Sequence, residues 1–199
     1  MTPTASGGVR AQPRSWPCPW APWPGREAEA PLPLVTDRLA LRAFVPDDAP
    51  EAHETIWGDP RVMELLDGPL DQAASQRELV RLIEHQERHG FSFWAVMDRE
   101  SGLLAGECGL YLLEGRGPEV ELGYSFGARW WGHGYAVEAA RAALGEAFGP
   151  LGLERVIAIT RPENHRSQRV LERLGFTAAG TRMAYGHRQR AYELVRPQG

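Results

Sequence analysis

A short segment with two glycines, Arg129-Trp-Trp-Gly132-His-Gly134-Tyr-Ala136, connects a strand-like run at 119–126 to an amphipathic helix pattern that begins near Gly134. Glycines leave the backbone uncovered, so several N–H groups can converge on one anion. The helix adds its unsatisfied amino-terminal donors and the positive end of its dipole. The junction therefore predicts a loop that binds a phosphate or pyrophosphate.

Two familiar phosphate sites fit this segment poorly. A P-loop needs a Gly-Lys-Ser/Thr ending, and all 22 basic residues of this chain are arginine, which excludes it. A dinucleotide-binding fingerprint needs a third small residue where Val137 stands, followed by an acid about twenty residues on. Glu154 has that spacing but belongs to a turn-like Gly-Leu-Glu segment, which disfavours this interpretation.

The loop resembles a motif of the GNAT acetyltransferases, Gln/Arg-x-x-Gly-x-Gly/Ala, which holds the pyrophosphate of acetyl-CoA. Further segments resemble this family in the same order over about residues 34 to 195. The opening segments resemble the RimJ/RimL-like branch, which includes acetyltransferases of ribosomal protein N-termini. The matching segments are Leu34-Val-Thr-Asp-Arg-Leu-Ala-Leu-Arg42, Asp59-Pro60-x-Val62, Val120-Glu-Leu-Gly-Tyr-Ser-Phe126, Asn164-x-x-Ser167 and Val170-Leu-Glu-Arg-Leu-Gly-Phe176.

The hydrophobic pattern predicts one α/β domain over residues 34–199, and the resemblance implies the GNAT fold. We expect a mixed central sheet of six to seven strands flanked by about four helices. Predicted strands lie at 39–43, 91–97, 103–112, 119–126, 156–160, 177–183 and 190–195, and predicted helices at 47–57, 71–90, 134–151 and 166–174.

Residues 1–33 differ in composition from the rest of the chain and contain half of its 16 prolines. Proline removes backbone donors and blocks helix formation, so we expect a disordered extension. A proline-rich arm that binds a partner is an alternative, because such segments can be pre-extended.

The overall composition is that of an ordinary globular domain, with 43% hydrophobic residues and a net charge of −4. This charge gives no support to a nucleic-acid-binding surface, and no apolar run reaches membrane-spanning length. Cys18 and Cys108 lack disulfide-framework or metal spacing, and Cys108 falls in a strand as a core residue. We expect a cytoplasmic protein with no metal, no nucleic-acid partner and no membrane association.

The resemblance implies a set of residues that contact acetyl-CoA. Backbone N–H groups of the loop would bind the pyrophosphate, and a bulge after Tyr124 would free N–H groups toward the thioester carbonyl. The two loop tryptophans also suit simple packing. The implied contacts are Ser125, Phe126, Arg129, Trp130, Trp131, Gly132, His133, Gly134, Tyr135, Ala136, Asn164 and Ser167.

Glu121 is the candidate general base, because it occupies the position of a catalytic glutamate on the family's fourth strand. Strand alternation places Glu119 on the same face, and like-charge repulsion between the two acids predicts a raised pKa for at least one of them. Glu119 itself and Glu107, on the neighbouring strand, remain alternative bases. Both members of the Glu119 and Glu121 pair also suit a solvated surface.

The departing thiolate needs a proton donor, and here the chain departs from the family pattern. The tyrosine that many GNAT enzymes use aligns with Leu171, which cannot donate a proton. In the RimJ/RimL-like branch a serine takes that role, which points to Ser167. Asn164 and Ser167 also suit an ordinary helix start, and the two interpretations are compatible.

The resemblance implies an acetyl-CoA-dependent N-acetyltransferase that acts through a direct ternary complex. The leading acceptor is a protein or peptide N-terminal α-amine. Alternatives are a small amine, such as an aminoglycoside, polyamine or amino acid derivative, and a non-catalytic acyl-CoA-binding module. Dimers are common in this family, which leaves a homodimer open. We expect the acceptor pocket to involve the first two helices and the segment 57–70.

Overall fold

An eight-stranded sheet organises residues 32–197, the part of the chain that this computed structural model describes. Residues 1–31 of the predicted extension lie outside the described residues, whereas Leu32 packs half-buried against the main core. The sheet order is β1-β2-β3-β4-β5-β6-β8-β7. The strands are β1 (Leu34–Val35), β2 (Leu39–Arg42), β3 (Phe93–Asp98), β4 (Leu104–Leu112), β5 (Val120–Phe126), β6 (Arg155–Thr160), β7 (Thr177–Ala184) and β8 (His187–Val195).

Five α-helices flank this sheet: α1 (Ala49–Ala52), α2 (Pro60–Met63), α3 (Gln72–His89), α4 (Tyr135–Phe148) and α5 (His165–Arg173). The helix predicted over 47–57 is a continuous run of three helix types, with a 3-10 turn at Pro46–Asp48, then α1, then a π turn at His53–Trp57. Single π turns often occur at functional sites, because the wider turn redirects side chains.

The helices divide between the two faces of the sheet. Small and apolar residues of α4 and Leu171 of α5 pack against Leu110 and Leu122 in the larger core. On the opposite face, Ile56, Leu79 and Leu82 of the amino-terminal helices pack against Ala95, Leu104 and Tyr111 of the sheet in a second core. A molecule bound between the strands would therefore have α4 and α5 on one side and the amino-terminal helices on the other.

Strand β5 pairs with β4 along its full length but with β6 at a single position, Glu121 opposite Ile157. This β5–β6 contact is the parallel one in the sheet, and beyond it the strands diverge. Gly127 N donates to Ala105 O at 3.0 Å, so the odd-numbered residues of β5 form the hydrogen-bonded pairs with β4. The backbone groups of Tyr124 and Phe126 consequently face the gap between β5 and β6.

The predicted α/β fold is confirmed, with one strand more than the expected six to seven. The additional strand is β1, which pairs with β2 through Leu34 opposite Leu41. A two-residue edge strand has no detectable alternation, so the sequence could not reveal it. Over residues 32–197 no helix is long and apolar enough to cross a membrane.

Candidate active site

The glycine loop between β5 and α4 has the conformation that its sequence predicts. Gly132 and Gly134 have φ of +83° and +81°, the left-handed region that favours glycine, and Gly134 is the N-cap residue of α4. Within the described part of the chain, the N–H groups of Gly132 through Ala136 make no hydrogen bond. These donors lie at the amino-terminal end of α4, where the helix dipole is positive, which suits an anionic ligand.

The turn before β2 holds the start of α4 in place. The guanidinium of Arg38 pairs with Glu138 through Nε at 2.8 Å and donates through Nη1 to the carbonyl of His133 at 2.9 Å. Thr36 donates its hydroxyl to the same carboxylate at 2.6 Å. Because His133 O accepts the hydrogen bond from Arg38, the peptide between His133 and Gly134 is oriented with its carbonyl toward Arg38.

Two aromatic residues, Trp130 and Tyr135, pack against each other at the glycine loop. Tyr135 donates its hydroxyl to Asp98 at the end of β3, at 2.5 Å, and its ring stacks on Trp130 with centroids 5.5 Å apart. This bond is the largest of the contacts that hold the pKa of Asp98 below its usual range. Arg129 is exposed and lies over the Trp130 ring at 4.6 Å. Trp130 therefore supports the loop, while its buried Nε1 has no hydrogen-bond partner.

The start of α5 lies directly beside the loop. Arg166 stacks over the Trp131 ring at 4.5 Å. Asn164 caps the helix, because its side-chain oxygen accepts from Ser167 N at 3.0 Å. Asn164 therefore has the predicted helix-start role, and its contact with coenzyme A stays a prediction.

The hydroxyl of Ser167 has a partner that the sequence did not indicate. Tyr124 on β5 places its own hydroxyl 2.9 Å from Ser167 Oγ and 3.1 Å from Ser167 O. Burial raises the pKa of Tyr124, so this phenol stays protonated and can donate. Leu171, at the family's tyrosine position, is buried in the core. The two hydroxyls thus lie next to the gap in the sheet.

The predicted bulge after Tyr124 is absent, because β5 keeps a regular register with β4 through Phe126. The divergence of β6 frees backbone groups instead. Phe126 faces the gap, where its carbonyl accepts from Trp131 Nε1 at 2.7 Å and its N–H remains available. Ser125 pairs opposite Glu107, which commits its backbone to the β4 ladder. Phe126 rather than Ser125 therefore has a backbone N–H that faces the gap, and the contact of either residue with acetyl-CoA stays a prediction.

Glu121 is buried, with 5% of its surface exposed, on the face of the sheet opposite α4. Its Oε1 accepts a short hydrogen bond from the hydroxyl of Tyr185. Burial raises the pKa of Glu121 to about 7, even though this hydroxyl and two arginines, Arg81 and Arg182, favour the charged form. A carboxylate with this pKa can accept a proton near neutral pH.

Like-charge repulsion from Glu119 is not the cause of this raised pKa, so that part of the prediction is wrong. Glu119 precedes β5 and binds Arg155 at 3.0 Å and Arg182 at 2.6 Å. The dominant cause is burial of Glu121, with a smaller contribution from Glu114. Burial of a charged residue in a sheet depends on the elements that cover it, which strand alternation alone does not specify.

Glu107 is a second buried acid on the same face. The π turn directs the indole of Trp57 toward it, with Nε1 3.3 Å from the carboxylate. Burial raises the pKa of Glu107 to about 8, and the nearby Glu78 adds to the rise. Burial therefore raises the pKa of both acids, and Glu107 stays an alternative base.

The 57–70 segment, expected to contribute to the acceptor pocket, is held by one contact between its own ends and by two contacts with later segments. Leu70 N donates to Trp57 O at 2.7 Å, which joins the ends of the 57–70 segment. Asp67, within that segment, binds Arg161 at 3.1 Å and His187 at 2.9 Å. No group of three His, Cys, Asp or Glu residues that could hold a metal ion occurs in residues 32–197.

The structure thus brings the predicted residues together around one gap in the sheet. The glycine loop, Phe126 and the Ser167 hydroxyl lie beside it, and Glu121 lies at the position where β5 pairs with β6. Sequence reasoning missed the side chains that complete the site. These are Trp57, Arg81, Tyr124 and Tyr185, whose contacts join residues that are distant along the chain.

Comparison with known proteins identifies the family of this chain. Residues 38–177 match the family model described as the acetyltransferase (GNAT) domain. An uncharacterised Bacillus subtilis protein, YkkB, is 36% identical over 144 residues, covering 71% of this chain and 83% of YkkB. The chain therefore belongs to the GNAT acetyltransferase family, and it is an N-acetyltransferase.

Solved structures share the fold. An acetyltransferase from Agrobacterium tumefaciens superposes with a TM-score of 0.72 at 26% identity, covering 85% of this chain and 98% of that one. RimL, a ribosomal L7/L12 α-N-protein acetyltransferase in complex with coenzyme A, superposes with a TM-score of 0.67 at 20% identity, covering 81% and 96%. At this identity the likeness to RimL shows the shared fold.

We expect Gly132→Val to weaken acetyl-CoA binding by about tenfold or more, a loss of about 1.4 kcal/mol. A β-branched residue is strained at φ +83°, and its side chain would cover the N–H groups that face the ligand. Gly180→Val on β7 is the matched control, because Gly180 also has positive φ (+89°) and open space around it. Titration calorimetry should show lost affinity for Gly132→Val alone. Equal affinity in this variant and the wild type would refute the loop assignment.

Proposed function

We propose that this N-acetyltransferase uses acetyl-CoA to acetylate an N-terminal α-amine of a protein or peptide, by direct transfer in a ternary complex. The observation that carries this proposal is the position of Glu121. Its carboxyl group lies at the last pairing point of β5 and β6, next to the gap that Phe126 and the glycine loop line. The proposed base, Glu121, and the proposed oxyanion donor, Phe126, therefore lie on one strand, and the glycine loop follows that strand directly.

The residues present fit acetyl-CoA. Free N–H groups from Gly132 through Ala136 match the acceptors of a pyrophosphate, and the dipole of α4 matches its charge. RimL, which shares the fold, is known in complex with coenzyme A, and this supports the same cosubstrate here. When bound, acetyl-CoA would supply a thioester whose carbonyl carbon accepts the amine.

Three groups of this chain would serve the transfer. Glu121 takes the proton that the amine loses as its nitrogen forms the new bond to carbon. The N–H of Phe126 donates to the carbonyl oxygen as negative charge develops there. Ser167 donates its hydroxyl hydrogen toward the sulfur as the carbon–sulfur bond breaks. Tyr124 lies within hydrogen-bond distance of Ser167 Oγ and would orient that hydroxyl, in place of the family tyrosine missing at Leu171.

Direct transfer is favoured over an acetyl-cysteine intermediate. Cys108 is the free cysteine among the described residues; it is fully buried in the main core. Burial raises the pKa of its thiol, so the nucleophilic thiolate would be rare. Cys108 is therefore a packing residue of the main core.

The α-amine is favoured as acceptor because its pKa suits the base. An α-amino group titrates at about 7.7–8.0, close to the pKa of about 7 for Glu121, whereas a lysine amine titrates near 10.4. A polyamine or aminoglycoside remains the second candidate, because the carboxylates of Glu78 and Glu114 near the two buried acids also attract cations. The hydroxyl pair at Ser167 disfavours a non-catalytic binding module.

The pH dependence of kcat/KM for a peptide acceptor tests the base and the acceptor together. Below about pH 6.5, loss of both the neutral amine and ionised Glu121 should give a slope of about two on a logarithmic plot. Glu121→Gln should lower the plateau by about 10²–10⁴ and reduce the slope to about one. Thiol release from acetyl-CoA measures both quantities.

Glu107→Gln is the matched control, since it neutralises the other buried acid on the same face and should keep the wild-type slope. A wild-type slope in Glu121→Gln together with a reduced slope in Glu107→Gln would move the base to Glu107. A peptide with a free α-amine should be acetylated at least tenfold faster than spermidine or a peptide with a blocked N-terminus and one lysine. The reverse order would favour the small-amine alternative.

We expect Ser167→Ala to lower kcat by about 10- to 100-fold with little change in acetyl-CoA affinity, because its hydroxyl acts mainly in the transition state. Tyr124→Phe should lower kcat less, since it removes the orienting group and keeps the donor. Steady-state kinetics and calorimetry measure both effects, and melting temperatures control for stability. Unchanged turnover in Ser167→Ala would leave this residue with its helix-start role alone.

A further inference from the structure

The turn between β7 and β8 carries an unusual backbone conformation. Tyr185 has φ of +50° and Glu114, near the start of the β4–β5 connection, has φ of +53°. Among residues 32–197 these are the two non-glycine residues with positive φ. Such conformations are unfavourable for residues with a side chain and persist where the surrounding contacts impose them.

The two strained residues bind each other. Tyr185 N donates to Glu114 Oε1 at 3.0 Å, and Glu114 N donates to the hydroxyl oxygen of Tyr185 at 3.0 Å. This reciprocal pair leaves the hydroxyl hydrogen of Tyr185 free to donate elsewhere. The hydroxyl donates this hydrogen to Oε1 of Glu121. The phenol oxygen of Tyr185 therefore accepts one hydrogen bond and donates another.

The carboxyl group of Glu121 is consequently held through one oxygen. Its Oε2 has no hydrogen-bond donor within the described part of the chain, and it is not among the atoms that are both buried and unpartnered. Oε2 is therefore the oxygen that can meet an incoming amine. A carboxylate held by one oxygen presents the other in a fixed direction, which favours proton transfer.

The charged surroundings of Glu121 come from several elements. Burial opposes its ionisation, and Glu114 adds to that effect, whereas Tyr185 and two arginines favour the carboxylate. Among these, Tyr185 is the group that makes a hydrogen bond to Glu121. The titratable and charged groups that face Glu121 are Arg81 from α3, Tyr111 from β4, Glu114 from the β4–β5 connection, Arg182 from β7 and Tyr185 from the β7–β8 turn.

We propose that Tyr185 is a positioning residue for the general base, with its hydroxyl fixing Glu121 Oε1 so that Oε2 faces the acceptor amine. The strained pair with Glu114 holds the phenol in that place. This inference rests on the proposed role of Glu121. It also assigns a function to the β7–β8 turn, beside which His187 binds Asp67 of the 57–70 segment.

Tyr185→Phe removes the hydroxyl and keeps the ring. We expect the acid limb of kcat/KM to move to higher pH, because the carboxylate loses the donor that favours its charged form. We expect kcat to fall by about tenfold, the effect of one hydrogen bond to a charged group, with acetyl-CoA affinity unchanged. A residue that only supports the turn would not move the acid limb.

The same substitution in the Glu121→Gln background separates the two proposals. Tyr185→Phe should have little further effect on kcat there, because the two residues act as a unit. Equal losses in both backgrounds, or an unmoved acid limb in the single variant, would overturn the positioning role. A wild-type pH profile in Glu121→Gln alone would instead overturn the base assignment, whatever Tyr185→Phe does.

Discussion

The divergence of β5 from β6 is the constraint on which the site depends. A continuous ladder would occupy the N–H groups of Tyr124 and Phe126, and no ligand could reach them. The strands pair only where Glu121 lies opposite Ile157, so the backbone beyond that point is free to bind. Side chains then stabilise the open edge, since the Trp131 indole satisfies the carbonyl of Phe126.

The two ends of this gap differ in physical character. At the loop end, exposed N–H groups and the dipole of α4 favour an anion in contact with water. At the other end, burial raises the pKa of Glu121 and Glu107 to about 7 and about 8. A phosphate-bearing molecule and a cationic amine would therefore each find the environment that suits them. The hydroxyls of Tyr124 and Ser167 connect β5 with α5 beside the same gap.

The sequence predicted those parts of the site that depend on local geometry. Glycine spacing identified the loop, because Gly132 and Gly134 adopt the positive φ that other residues disfavour. Asn164 was recognised as a helix cap by the same local reasoning, and alternation placed Glu121 on a defined face of β5. Their positions needed no knowledge of the rest of the fold.

The remaining features depend on contacts between distant segments. Tyr185 reaches Glu121 from 64 residues away, and Tyr124 reaches Ser167 from 43 residues away. No periodicity marks such pairs, and a positive φ at a tyrosine has no sequence signal. The cause of the raised pKa of Glu121 was mistaken for the same reason, because burial is a property of the assembled sheet and not of one strand.

The most direct test of this account is the backbone amide spectrum of ¹⁵N-labelled protein during titration with acetyl-CoA in the absence of an acceptor. New hydrogen bonds should shift the amide signals of Gly132 through Ala136, together with that of Phe126, and slow their exchange with solvent. The amide of Ser125, committed to the β4 ladder, should change less. Saturating acetyl-CoA that leaves the loop and Phe126 signals unchanged, while shifting others, would contradict the central claim.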